Sequence, residues 1–373
     1  MSKALQLEGA NAVRFYAALT IILYHFVKLS GLQTPDELAF IGKFGGFGVP
    51  LFFVLSGFVL CVGYAGKLNG KDQISEFYMR RFFRIAPLFY CMMMVYVAYF
   101  WIVRGDFVPL SQLILSATFT FNLIPGYTEG FVWASWSIGV EMLFYAIFPV
   151  LMLATTNLTR SVCIFLLALL VSVLWFRGFA GAPDSFKHLQ GLGFPAQFQY
   201  FAAGIVAYCV WEKVEWTAWA HRAAIAASLS LILALIVFAS EIHRAYGQMF
   251  GYEYVRFFVI GSWSVALAAL VTGMGLVRFS FRLFAIATLL GERSFSLYLW
   301  HPLVIGLMKK GGLYKWIDSV FAATLPVFLV GAGVTVGTVI LISIPSYEYL
   351  EKRLGRFAAS HFKRKPVSDP VAA

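Results

Sequence analysis

Long apolar runs separated by short polar stretches make up most of the chain. A helix needs about 20 mostly apolar residues to cross a bilayer. Ten segments approach that length: 10–29, 45–64, 85–103, 136–154, 160–176, 194–211, 221–240, 257–275, 290–308 and 321–345. Runs such as VPLFFVLSGFVL do not alternate apolar and polar positions. Membrane β-barrel strands do alternate, so helices are expected. The stretch 111–124 is apolar but short, and Pro125 follows it, which predicts an interfacial or re-entrant piece. The expected fold class is all-α: a polytopic membrane protein of about ten transmembrane helices. One transmembrane domain is expected over 1–354, with a short basic tail over 355–373.

Composition agrees. Of 373 residues, 60% are hydrophobic and 13% are charged, against roughly 45–50% and 25% in soluble domains. That excludes an ordinary soluble enzyme, and so few charges also exclude a disordered chain. The net charge of +11 would point to nucleic acid in a soluble protein. In a membrane protein it points to basic cytoplasmic loops, and no nucleic-acid partner is expected. With the N-terminus inside, most Lys and Arg residues fall on the cytoplasmic side, including Arg80, Arg81, Arg84 and the tail cluster Lys363, Arg364, Lys365. An even number of spans then puts both termini there. The N-terminal MSKALQLEGANAVRF lacks the features of a cleaved signal peptide, so the first apolar segment is expected to stay. Cys61, Cys91, Cys163 and Cys209 lie in apolar stretches without paired spacing and read as core residues, with no disulfide or metal role. No internal repeat, inverted pair of interrupted helices or appended soluble domain is expected.

Ionisable residues deep in apolar runs are costly and usually functional. Arg14 and His25 are eleven residues apart, about three turns plus 20° on a helix, with a rise of about 16 Å. They share one face, Arg14 near the inner end and His25 near the midplane. This suits a long anionic ligand entering from inside; it also suits a snorkelling arginine and a histidine bonded to a neighbouring helix. Arg81 and Arg84 are three apart and share a face. Their guanidinium forks suit phosphates, and equally suit membrane anchoring together with Arg80. Glu141 requires a partner. That partner is either an imidazole it orients for general-base chemistry or a group it binds for packing. His301 precedes Pro302, and it either takes part in chemistry or binds a carbonyl that the proline frees. Gly45, Gly46, Gly48, Ser56 and Gly57 read as small residues for close helix approach. Ser56 is not in a nucleophile elbow, and no nucleotide fingerprint or metal spacing is present.

Six segments in order resemble the acyltransferase 3 family of integral membrane acyltransferases. They are R-F-Y-A-A-L-T-I-I-L-Y-H (14–25), G-V-P-L-F-F-V-L-S-G-F (48–58), R-R-F-F-R-I-A-P-L-F-Y (80–90), W-S-I-G-V-E-M-L-F-Y (136–145), S-F-S-L-Y-L-W-H-P (294–302) and Y-E-Y-L-E-K-R (347–353). The last lacks the proline that often follows the final glutamate in that family. The resemblance implies transfer of an acyl group, acetyl foremost, from cytoplasmic acyl-coenzyme A to a hydroxyl of a carbohydrate or lipid-linked saccharide. It also implies a bacterial inner membrane and the stand-alone type that modifies O-antigen or exopolysaccharide. Arg14 and His25 then form the functional pair, and Arg81 and Arg84 handle coenzyme A.

On this reading Arg80, Arg81 and Arg84 hold the acetyl-CoA phosphates, and Arg14 guides the donor inward. His25 acts as base or acyl carrier, Glu141 fixes its tautomer, and Trp136, Tyr298 and His301 line the acceptor side. A proton-coupled glycolipid transporter or flippase is the alternative, since buried His and Glu residues also suit proton coupling.

Overall fold

The computed structural model describes residues 8–155, 157–250, 252–274, 282–354 and 356. The described residues are helical with no strands. In chain order the helices are α1 (Glu8–Leu29), α2 (Ala39–Phe44), α3 (Gly48–Tyr64), α4 (Lys71–Tyr99), α5 (Leu110–Ala117), α6 (Trp136–Ala154), α7 (Leu158–Gly178) and α8 (Lys187–Leu192). They continue as α9 (Phe194–Lys213), α10 (Ala218–Phe250), α11 (Tyr252–Met274), α12 (Arg282–Gly291), α13 (Ser294–Lys310), α14 (Leu313–Val320) and α15 (Thr324–Ser346). The basic tail expected over 355–373 lies outside the described residues, apart from Arg356.

Eight described helical segments are long and apolar enough to cross a membrane. The chain is an all-α polytopic membrane protein. Two expected spans, 194–211 and 290–308, are helices that do not meet that measure. The first, α9, carries Gln197, Gln199, Glu212 and Lys213, and the second, α13, has only 17 residues. Both are lined with buried residues, so they sit among other helices. The stretch 111–124 forms the eight-residue α5 and a 3-10 turn at Phe121–Leu123, too short to span. Leu110 and Ile114 of α5 are exposed. The third span begins earlier than expected, because α4 starts at Lys71 and carries Arg80, Arg81 and Arg84 within the helix.

Local chemistry sets several boundaries. The Asn157 side chain accepts from the Arg160 N–H at 2.9 Å and caps α7. Pro195 stands in the first turn of α9, where its missing N–H leaves no bond unmade. The π-helical end of α4 stops at Gly105, whose φ of 73° is left-handed.

Helix α1 lies inside the bundle and packs on α3, α12, α13 and α15. A stack of aromatic rings joins four other helices. Phe53 lies on Phe201 at 4.5 Å, Phe201 on Phe144 at 4.0 Å, and Phe148 on Phe77 at 5.3 Å. Offset ring contacts of this kind add to burial. Between α3 and α9 the backbones touch. A Cβ at Gly204 would sit 2.1 Å from the Val54 carbonyl oxygen, and one at Gly57 2.3 Å from that of Phe201. Small residues permit such approach where water supplies no driving force between helices. Leu166, Leu170 and Leu174 of α7 and Leu329 and Leu341 of α15 face outward, as on a lipid-contacting surface.

Gly204→Val is expected to force α3 and α9 apart at a cost of about 1–3 kcal/mol or more. Thermal unfolding of detergent-solubilised protein checks this: the midpoint should fall by several degrees, and an unchanged midpoint contradicts the contact.

Candidate functional site

Five helices converge on an internal cavity of about 300 Å³. Helix α1 contributes Arg14, α3 contributes Phe52, Phe53 and Ser56, and α4 contributes Arg81 and Arg84. Ser137, Glu141 and Tyr145 come from α6, and Tyr298 from α13. Arg14 donates from Nη1 to Asn11 Oδ1 at 2.6 Å, one turn earlier on its own helix. The Arg81 guanidinium lies 5.7 Å and 5.9 Å from the Tyr64 and Tyr145 ring centres, a cation–π arrangement that holds charge without a carboxylate. Its buried Nε has no hydrogen-bond partner. Arg84 Nη1 forms an ion pair with Glu351 at 2.9 Å. Three guanidinium groups therefore line the cavity with one carboxyl group, Glu141, while Glu351 pairs with Arg84 from behind the lining. The excess suits an anion.

Glu141 accepts from Ser56 Oγ at 2.8 Å and from the Tyr145 hydroxyl at 2.5 Å. No hydrogen bond joins it to His25, so the expected orienting contact is not what this structure contains. Another side chain holds that position. His25 Nδ1 lies 3.0 Å from His301 Nε2 and 3.1 Å from the Ile21 carbonyl oxygen. His301 is fully buried, and its Nδ1 lies 2.5 Å from the Tyr298 carbonyl oxygen. A carbonyl only accepts, so in the neutral rings both Nδ1 atoms carry the proton. His301 Nε2 then accepts from His25 Nδ1–H, and the lone pair of His25 is on Nε2. Helices α1 and α13 pack together, which brings residues 276 positions apart into contact.

Tyr298 connects the cavity and the histidines. It lines the cavity, and its ring centre is 5.5 Å from that of His301. Its hydroxyl donates to the Ala134 carbonyl at 2.7 Å and accepts from Ser137 Oγ at 2.7 Å. Ala134 has a φ of 64°, a conformation rare for a residue with a Cβ. The strained backbone aims its carbonyl at the tyrosine.

Two other expected site residues lie apart. Arg80 is exposed and pairs with Glu76 one turn away, its Nε 2.8 Å from the carboxylate. Trp136 packs edge-on against Phe53 at 6.1 Å and does not line the cavity. Several residues the sequence reading did not single out belong to the site: Tyr64, Ser137, Tyr145, Ser296 and Glu351. Ser137 and Tyr145 are each four residues from Glu141, a spacing that signals a shared helix face. Ser56, read as a packing residue, supplies a hydroxyl to Glu141. Among the described residues, no group of three or more His, Cys, Asp or Glu side chains is placed to hold a metal ion.

A helical membrane protein with a cationic internal cavity beside a histidine pair is equipped to bind an anion next to a base. The chain belongs to the acyltransferase 3 family, whose acyltransferase domain matches residues 7–344. It is 25% identical over 321 residues to the putative acetyltransferase ORF330 of Acidianus two-tailed virus, covering 84% of this chain and 88% of that one. It is 27% identical over 325 residues to the exopolysaccharide production protein ExoZ of Rhizobium meliloti (strain 1021), covering 84% and 90% respectively. Similarity to the peptidoglycan O-acetyltransferase OatA of Listeria monocytogenes is 30% over 159 residues, 38% of this chain and 24% of that protein. No solved structure matches the chain.

Nitrogen-15 NMR of histidine-labelled protein in mildly alkaline buffer checks the tautomers. The His25 signals, identified by their loss in His25→Gln, are expected to show a proton on Nδ1 and none on Nε2. A proton on Nε2 contradicts the arrangement.

Proposed function

We propose that this protein transfers an acetyl group from acetyl-CoA at the cytoplasmic face to a hydroxyl of a cell-envelope or exported carbohydrate, in a bacterial inner membrane. Family membership supports the acyltransferase class. The names of the relatives, acetyltransferases and an exopolysaccharide production protein, support acetyl as the group and a saccharide as the acceptor. One observation carries the reading: the cavity where Arg14, Arg81 and Arg84 converge reaches Tyr298, whose ring lies against the histidine pair.

Phosphates of the donor lie among the three arginines, where the unpaired Arg81 Nε gains a partner. Planar guanidinium groups recognise phosphate oxygens through paired N–H bonds. The pantetheine arm runs between Phe52, Phe53 and Tyr298 and brings the thioester toward His25. The rise of about 16 Å between Arg14 and His25 suits an extended arm.

At His25 the acceptor hydroxyl donates to Nε2. As its oxygen attacks the thioester carbonyl, Nε2 takes the proton. The C–O ester bond forms, the C–S bond breaks, and the coenzyme A thiolate recovers a proton from imidazolium. His301 holds the ring with Nε2 free. Positive charge on His25 in transit is stabilised through Nδ1–H by the His301 lone pair and the Ile21 carbonyl. Base catalysis of this kind contributes about 10²–10⁴-fold. Glu141, held by Ser56 and Tyr145, balances the arginine charge on the cavity wall.

Acetyl transfer from labelled acetyl-CoA into envelope carbohydrate tests the proposal in membranes with matched protein levels. His25→Ala should lower transfer by about 10²-fold or more. Label incorporated equally by wild type and His25→Ala contradicts the role of His25. No incorporation by wild type, with no binding of coenzyme A, contradicts the donor. Arg81→Ala should raise the donor KM by about 10–100-fold, the loss of a charged hydrogen bond, with kcat little changed; an unchanged KM would remove Arg81 from donor binding.

His301→Asn supplies a carbonyl to accept from His25 Nδ1–H, whereas His301→Leu does not. The asparagine variant is expected to keep at least tenfold more kcat than the leucine variant. Equal activities would mean that His301 acts by packing.

A further inference from the structure

The buried stripe of α15 steps along Thr335, Val339, Ser343 and Ser346, at intervals of four, four and three residues. Regular α-helical continuation would bring Leu350 to that face next. The backbone instead winds as a π-helix over Tyr347–Lys352, and the next buried residue is Glu351, five positions after Ser346. A π turn changes which side chain faces inward, and such turns recur at functional sites. Here it replaces an aliphatic side chain with a carboxylate at a fully enclosed position.

The carboxylate has an ion pair on one oxygen and a hydrogen bond on the other. Its side chain has no exposed surface, while the Arg84 side chain it pairs with remains 37% exposed. Ser296 Oγ donates to Glu351 Oε1. Ser296 Oγ lies 3.2 Å from Ser346 Oγ, which accepts from Trp300 Nε1 at 3.0 Å. Arg84 is thus tied through Glu351 to α13, the helix that also carries Tyr298 and His301. The other acid of the same turn, Glu348, pairs with Lys352 at 2.8 Å and lies 3.6 Å from Arg293. The two carboxylates of Y-E-Y-L-E-K-R therefore have separate duties.

We propose that Glu351 is a positioning residue of the donor site, holding the Arg84 guanidinium at the cavity wall so that its free edge meets a donor phosphate. This rests on the reading that the cavity binds acyl-coenzyme A. Glu351 touches neither donor nor acceptor and acts only through Arg84. An arginine on a long flexible stem loses rotamer freedom when it binds a phosphate, and a buried carboxylate removes that freedom beforehand.

The test compares acetyl-CoA with acetyl-pantetheine, which keeps the thioester and lacks the phosphates. Wild type, Glu351→Gln, Glu351→Ala, Arg84→Ala and the double variant Glu351→Ala/Arg84→Ala are assayed with both. Glu351→Gln retains an acceptor for Ser296 and protects the fold. Both Glu351 variants should raise the KM for acetyl-CoA about tenfold, keep kcat within about twofold, and leave the KM for acetyl-pantetheine unchanged. The double variant should be no worse than Arg84→Ala alone, because the two residues act as one unit.

A general structural role would weaken both donors alike, and that result overturns the proposal. So does an unchanged KM for acetyl-CoA, or additive losses in the double variant. Wild type that does not distinguish the two donors overturns the coenzyme A reading itself, and this inference with it. Wild type that distinguishes them, beside Glu351 variants that behave like it, overturns only the role of Glu351.

Discussion

A charge inside a membrane must find a partner within the protein, because lipid offers none. Most of this structure's interior follows from that constraint. Arg84 is answered by Glu351, and Arg14 by Asn11 one turn away. Glu141 is answered by two hydroxyls, Ser56 and Tyr145, and Arg81 by the rings of Tyr64 and Tyr145. These pairings use residues from α1, α3, α4 and α6 and from the turn after α15. The contacts of Arg84 with Glu351, of Ser56 with Glu141 and of Arg81 with Tyr64 and Tyr145 join separate elements, whereas Arg14–Asn11 and Glu141–Tyr145 stay within one helix. Arg81, which lines the cavity, has its Nε among the buried atoms left without a hydrogen-bond partner. Its unmet demand is a reason for this cavity to take an anion from outside the chain.

The histidine pair follows from the same economy on neutral groups. Pro302 and the helix interior leave carbonyls that need donors, and the Tyr298 carbonyl is taken by His301 Nδ1. That bond fixes the His301 tautomer, which fixes that of His25, which leaves Nε2 bare. The order runs from backbone to reactive atom through two rings. Tyr298 serves both parts: its carbonyl holds His301, and its hydroxyl is held at the cavity wall by Ala134 and Ser137.

Much of the fold was legible in the apolar pattern. The expected span 136–154 coincides with α6, because a single apolar run of the right length lies between two polar loops. Two of the ten expected segments form helices that fall below the length-and-hydropathy measure met by the other eight. Gln197, Gln199 and Glu212 lower the hydropathy of α9, and α13 falls short in length. The helices that carry Arg14, His25, Glu141 and His301 also followed from position in a run. Their pairing did not, because periodicity gives a residue's height and face but not the helix opposite. So Glu141 was matched with His25, whereas the packing of α1 on α13 gives His25 to His301. Glu351 was hidden for a different reason. A 3.6-residue period carried past Ser346 points to Leu350, and a π turn leaves no mark in composition.

The central claim is that one continuous path leads from the arginine-lined cavity to His25. A structure with a thioether analogue of acetyl-CoA bound, which cannot transfer its acyl group, tests it most directly. The account predicts phosphates on Arg14, Arg81 and Arg84, with the acyl end past Tyr298 and facing His25 Nε2. Phosphates bound elsewhere, or an acyl end pointing away from His25, would contradict it.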